Sequence, residues 1–297
     1  MGQVWRGCGL KKLFMRLHNE ANYATICKRN MKPLPIKPRR FGAADSFVEQ
    51  RLALGRVAFS GAELIKATGL SATAAKFQLL RLGKRVVRVS PRQSFFLIVS
   101  PEHRAVGAPP VTWWLHDYFQ WLKQRYYLAL QSAASSFGSN PQALQVTQVM
   151  TKTPRRPLEV GRLQVQFFVK RTMEQTPTQP LANATAPLQV STPEATVFDL
   201  VRYAPRVGGI ERVAETIAPL LAQLRVQELR RVLKIENDTA TAQRLGYVLE
   251  KLRAPKLANV VKEWLPMTTL IPLIPGLRRD ALEIKRWNIL NNAGEIG

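Results

Sequence analysis

Residues 69–85, GLSATAAKFQLLRLGKR, gather side chains whose chemistry suits a duplex nucleic acid. Arg81 carries a planar fork that pairs with guanine or a phosphate, and Gln78 a carboxamide that pairs with adenine. Ser71, Thr73 and Lys76 add short or cationic donors in the first turns, where recognition helices usually reach base edges. Lys84, Arg85, Arg88, Arg92 and Gln93 follow, the cations among them suited to gripping the sugar–phosphate backbone. Cations near a helix C-terminus are also favoured by the macrodipole alone. These residues therefore make a DNA-binding site only if the surrounding elements present them together.

Other chemistries find little support. Residues 103–190 contain only Asp117, Glu159 and Glu174 as acids, too few for the convergent carboxylates of a metal-dependent nuclease. His18, His103 and His116 lack an evident carboxylate or nucleophile partner, and no phosphate-binding glycine loop or nucleophile elbow is present. Cys8, His18 and Cys27 fall at no paired CxxC or HxxxH spacing, so no metal site is expected, and no cofactor. Two cysteines also form no disulfide framework and point to a reducing compartment. No apolar run approaches the ~20 residues of a membrane span, and no signal-peptide core is seen. A cytoplasmic protein without catalytic activity is the expectation.

The charge favours a polyanionic partner. Forty-four Lys and Arg against twenty Asp and Glu give +24 across 297 residues. The excess lies early: residues 1–105 carry twenty cations and five acids, residues 191–297 sixteen and twelve. Within 1–40, a helix expected at 10–27 leads into KRNMKPLPIKPRR, whose three prolines exclude a helix and favour an extended basic arm. Met15 and Met31 are alternative starts.

The elements that must hold the basic stretch read as follows. Ala44–Val57 suits a helix. Ser60 opens a second, with Glu63 completing a capping box and Gly69 marking the turn. Ser71 caps a third, in which Ala75, Leu79 and Leu82 share one face and Gly83 marks the end. Gln78 departs from the apolar pattern, and Phe77 and Leu80 widen the apolar face, leaving the helix's rotation open. Strands at 86–90 and 94–100 flank the turn Pro91-Arg92-Gln93. This order describes a winged helix-turn-helix at 41–105, with Arg92 at the wing tip.

Beyond it, Trp113, Trp114, Tyr118, Phe119, Trp121, Tyr126 and Tyr127 crowd one segment beside Lys123 and Arg125. Aromatics so mixed with cations can stack on single-stranded bases, but their helical spacing favours a core. Strands are expected at 143–151 and 162–170, a loop at 171–190, and a helix from 193 capped by Ser191 or Thr192 with Glu194 closing the box. Gly208-Gly209 ends that helix. Helical patterns resume at 210–234 and 239–264, and a last short helix is expected at 280–290.

Four of these stretches resemble one family in the same order: YYLALQSAASSFGSNPQALQVTQVM (126–150), VGRLQVQFFVKR (160–171), VSTPEATVFDLVRYAPRVGGIERVAETI (190–217) and AQRLGYVLE (242–250). They are similar to AbiEi-type antitoxins of bacterial abortive-infection, or type IV toxin–antitoxin, systems, over about residues 45–260. The resemblance implies an α+β chain: an N-terminal winged helix-turn-helix followed by a mixed α/β antitoxin domain with a helical C-terminal part. On this reading 1–40 is a basic extension without counterpart in the family, 41–105 the DNA-binding domain and 106–297 the antitoxin domain. The implied function is autorepression at operator inverted repeats in double-stranded DNA, together with neutralisation of a nucleotidyltransferase-like toxin. A ligand-sensing winged-helix regulator and a DNA-targeted nuclease are the alternatives.

Overall fold

The computed structural model describes residues 42–139, 146–181, 187–267, 269–277 and 282–293. The helix expected at 10–27, the basic arm and both cysteines lie outside them. Helix α1 (Ala43–Ala53) turns Ala44, Phe47 and Val48 inward. Strand β1 (Ala58–Ser60), not expected from the sequence, leads directly into α2 (Gly61–Thr68). Ser60 caps α2 as anticipated: its Oγ accepts from Glu63 N–H, while Glu63 accepts from Ser60 N–H. Gly69, at φ +68°, makes the left-handed C-cap that a residue with a Cβ rarely adopts. Helix α3 (Ala72–Leu82) follows, then β2 (Val86–Arg88) and β3 (Phe95–Ile98).

Strand β3 lies between β1 and β2, antiparallel to both. Its alternation decides what each face holds. Phe96 and Ile98 join Phe47, Phe59, Leu64, Ala75 and Val86 beneath the three helices. Phe95 and Leu97 point the other way, into a cluster built on helix α4 (Val111–Trp121). There Trp114, Leu115, Tyr118 and Phe119 are buried, and Trp114 Nε1 donates to Pro109 O at 3.1 Å. Most of the aromatic segment is therefore core.

The same cluster continues onto one face of a six-stranded mixed sheet. Its strands are β4 (Tyr127–Leu128), β5 (Val146–Thr151), β6 (Leu158–Val160), β7 (Leu163–Val169), β8 (Thr178–Leu181) and β9 (Leu188–Ser191), in the order β6-β7-β5-β4-β9-β8. Residues 171–190, expected as a loop, thus supply β8 and most of β9. Pro180 disguises β8, and the strand tolerates it because it lies at the sheet edge. Helix α5 (Leu130–Ser136) follows β4.

The opposite sheet face, with Tyr127, Met150 and Phe168, packs against helices α6 (Pro193–Arg202), α7 (Gly209–Ile217), α8 (Val226–Glu236), α9 (Thr239–Lys251) and α10 (Pro255–Trp264). Thr192 is the cap of α6, but Glu194 closes no box; its carboxylate accepts from Arg225 N–H at 2.8 Å. The pattern at 210–234 is broken by 3-10 turns over Ala218–Gln223, where Pro219 sits, and that at 239–264 breaks before Pro255. Over the described part of the helix expected at 280–290, residues 282–290, strands and a turn stand instead. Leu282–Ile284 (β11) and Ile289–Asn291 (β12) form a small sheet with Ile271–Pro272 (β10). The turn between β11 and β12 places Trp287, 1% exposed, over Gly246 of α9, and that long-range burial outweighs local helix preference. The architecture is α+β. No helix among the described residues is long and apolar enough to cross a membrane.

Candidate nucleic-acid interface

One stripe of α3 faces solvent. Thr73, Lys76, Phe77, Leu80 and Arg81 recur at the three- and four-residue spacing of a single helix face, and Lys84 extends the stripe into the following turn. None of the four polar members forms an ion pair or side-chain hydrogen bond with a described residue. Between the helix and β2–β3 runs a groove of about 310 Å³ lined by Lys76, Leu79, Leu80, Gly83, Val86, Arg88 and Phe96. Arg88 lies with its guanidinium 5.1 Å from the Phe96 ring centroid and donates to Pro91 O at 3.1 Å. Arg92 is exposed in the turn between the two strands.

Four of the expected residues are engaged elsewhere. Gln78 is half-buried, and its Oε1 accepts from Ala44 N–H at 2.9 Å, satisfying an otherwise unpaired donor at the start of α1. Its carboxamide is thus held against the start of α1. Ser71 Oγ accepts from Ala74 N–H at 3.2 Å as the helix cap. Arg85 is paired with Asp45 at 2.6 Å and with Glu49, tying the turn after α3 to α1. Gln93 accepts from the Tyr118 hydroxyl at 2.8 Å, joining the β2–β3 turn to α4. The stripe and turn thus bring together Thr73, Lys76, Arg81, Lys84, Arg88 and Arg92. Ser71, Gln78, Arg85 and Gln93 brace the elements that carry them.

The second half of the chain holds a constellation that sequence spacing did not reveal. Lys170, just past β7, has a side chain 3% exposed, with Nζ 2.7 Å from Asp199 and 2.6 Å from Glu236. Asp199 Oδ2 also accepts from the Tyr127 hydroxyl at 2.9 Å, and Glu236 from Thr176 at 3.2 Å. Arg202 closes the cluster, 2.7 Å from Glu236 and 3.2 Å from Asp238. Burial pushes the Asp199 carboxyl up, against the pull of the Lys170 ammonium. At Asp238 burial also raises, but donors from Thr241 and the charge of Arg202 outweigh it and hold that carboxyl below its usual range. The signal in the sequence was a lone Asp199 inside the apolar run TVFDLV. The cluster ties β4, β7 and the helices α6 and α8 together with every carboxylate answered by a cation. Among the described residues no group of three or more His, Cys, Asp and Glu is placed to hold a metal ion. His103 and His116 contact Ser100 and Tyr126.

Residues 127–251, from β4 to the end of α9, match the family model described as the AbiEi antitoxin C-terminal domain. This stretch is similar to the AbiEi antitoxin C-terminal domain. It holds every member of the buried ionic cluster and three of the four stretches that suggested the family, with nearly all of the fourth. No curated protein matches the chain significantly. Among solved structures, the RV2827C protein from Mycobacterium tuberculosis is 16% identical, covering 86% of this chain and 93% of its own, with a TM-score of 0.64. At that identity the likeness is one of fold, and it extends beyond the AbiEi domain. An antigenic nucleotidyltransferase-like protein from Paracoccidioides brasiliensis aligns over 52% of this chain and 91% of its own, at 10% identity. Its TM-score, 0.32, is below that of a shared fold.

Proposed function

We propose that the protein is a DNA-binding autorepressor and the antitoxin of a type IV toxin–antitoxin pair. It binds inverted repeats in its own promoter and counteracts a nucleotidyltransferase-like toxin. In this reading residues 41–105 are a winged helix-turn-helix, with α2 and α3 as the paired helices and the β2–β3 hairpin as the wing. Residues 106–297 are the antitoxin domain, residues 1–40 a basic extension, and no catalysis is involved. The observation that carries the reading is the unpaired, cation-bearing stripe of α3 in a chain that also holds an AbiEi antitoxin domain. Thr73 and Lys76 meet base edges, Arg81 meets guanine or phosphate, and Lys84, Arg88 and Arg92 meet the backbone.

The test is a polarisation titration of the full chain against duplex DNA from its own promoter. Lys76→Ala with Arg81→Ala should weaken binding by about 1–3 kcal/mol for each side chain that meets a base. Unchanged affinity refutes the assignment. Lys84→Ala should lower the slope of log affinity against log salt by about one, whereas an unchanged slope removes Lys84 from the interface. The duplex should stay intact with Mg²⁺ or Mn²⁺, since cleavage would favour the nuclease alternative. Co-expression with a neighbouring nucleotidyltransferase-like gene should relieve its toxicity. Absence of such a neighbour would favour a stand-alone regulator.

A further inference from the structure

We propose that Phe77 and Leu80 read thymine, by packing against the C5-methyl groups that thymine presents in the major groove. The inference rests on the DNA-binding reading of the same helix face and adds to it a base preference that the cations do not supply.

Phe77 is 56% exposed and Leu80 65% exposed, among the few large apolar side chains of the described residues that reach solvent. They stand one helical turn apart at the centre of the stripe, between Lys76 and Arg81. Most of each side chain lies in water, and at a solvent-facing helix position phenylalanine is a poorer helix former than alanine or lysine. The groove beside them is apolar at its base, through Leu79, Val86 and Phe96. An exposed apolar strip of this kind calls for an occupant.

The flanking charge selects which one. Lys76, Arg81, Lys84 and Arg88 ring the strip, and Thr73 is its only other polar neighbour on the helix. A second copy of this face would bring the same cations into opposition, which disfavours self-association. The occupant must therefore be anionic yet offer apolar groups a few ångströms apart. The major groove of duplex DNA meets both needs: phosphates line its edges, it admits a helix, and thymine alone presents a methyl group on its floor. Gln78, the residue whose type suggested adenine, is turned away and bonded to Ala44. The central contacts of α3 are thus apolar.

The experiment selects duplexes from a random-sequence pool on the immobilised full chain, then resynthesises the recovered sites with deoxyuridine in place of thymidine. That exchange removes only the methyl groups and leaves the protein untouched. The recovered sites should contain thymines, and the exchange should weaken wild-type binding about fourfold for each contacted methyl, the worth of one buried methylene-sized group. The double variant Phe77→Ala, Leu80→Ala should bind the thymine and uracil duplexes equally while keeping its salt dependence. Equal wild-type binding to the two duplexes, or a preference that survives in the variant, overturns the proposal. A change of solution mass caused by the variant without DNA would give the face to a second copy and overturn it as well. Recovery of no duplex at all would instead overturn the DNA-binding reading beneath it, a result plainly different from equal binding.

Discussion

Replacing Lys170 by methionine removes the one ammonium that answers both Asp199 and Glu236. The side chain fits by length, and the site is dry: Lys170 is 3% exposed at its side chain, Asp199 0% and Glu236 1%. In the native cluster three carboxylates face two cations; in the variant they face Arg202 alone, which lies 3.9 Å from Asp199. Breaking a buried pair in this way costs about 3–5 kcal/mol. Asp199, already pushed above its ordinary range by burial, is the carboxyl placed to take up a proton once the Lys170 ammonium is gone.

The assay is urea unfolding followed by circular dichroism over a series of pH values. With a slope near 3 kcal/mol per molar, typical for the upper end of single-domain sizes, the midpoint should fall by roughly 1–1.7 M at neutral pH. The sign of the pH dependence is the sharper test. In the variant the folded-state pKa of Asp199 lies above the unfolded one, so the deficit grows as pH rises and shrinks as pH falls towards 3.8. Adding Asp199→Asn to the variant should recover most of the loss. A deficit under about 1 kcal/mol, or one that is flat with pH, would refute the claim that these charges are buried and interdependent.

Gly246→Ala should destabilise the protein although alanine is the better helix former, because its Cβ would lie 2.1 Å from Trp287 Cζ3. Overpacking of about 1–3 kcal/mol should appear as a lower Tm. Gln78→Ala should cost about 0.5–2 kcal/mol of stability, as loss of a capping acceptor does, without changing the preferred DNA sequence; an altered preference would return Gln78 to the bases. Asp238→Asn keeps an acceptor for Thr241 N–H but not the charge. The lowered pKa of Asp238 means its contribution is present above about 3.8 and fades as pH falls below it. The wild-type advantage over this variant, read from urea midpoints, should therefore vanish in acid.

Local signals were legible in the chain, and long-range ones were not. The Ser60–Glu63 box, the Ser71 and Thr192 caps and the turn at Gly69 are each decided within four residues, so their residue types announce them. The exposed cations at Lys76, Arg81 and Lys84 were equally visible, because charge on an amphipathic helix has few places to go. The partner of Gln78, Ala44 N–H, lies 34 residues earlier and was not legible. The partners of Arg85, Asp45 and Glu49, lie on another helix and were equally hidden. The strand β8 was hidden by Pro180, and β4 by its length of two residues. The Lys170 cluster draws on positions from Tyr127 to Asp238, and no local pattern marks such a set.

The distribution of those partners explains why four of the ten candidate residues are engaged within the fold. A helix that presents side chains to a partner must itself be held still, and the residues nearest the face do the holding. Arg85 fixes the end of α3 to α1, Gln78 fixes its middle to the start of α1, and Gln93 fixes the β2–β3 turn to Tyr118 of α4. The last tie reaches further than it first suggests. Tyr118 sits in the cluster that also buries Phe95 and Leu97 on one side and Val149, Phe167 and Val190 of the six-stranded sheet on the other. The β2–β3 turn and the AbiEi domain thus share one apolar core through α4. A displacement of the sheet face would have to repack Tyr118, and with it the hydrogen bond that steadies the turn bearing Arg92.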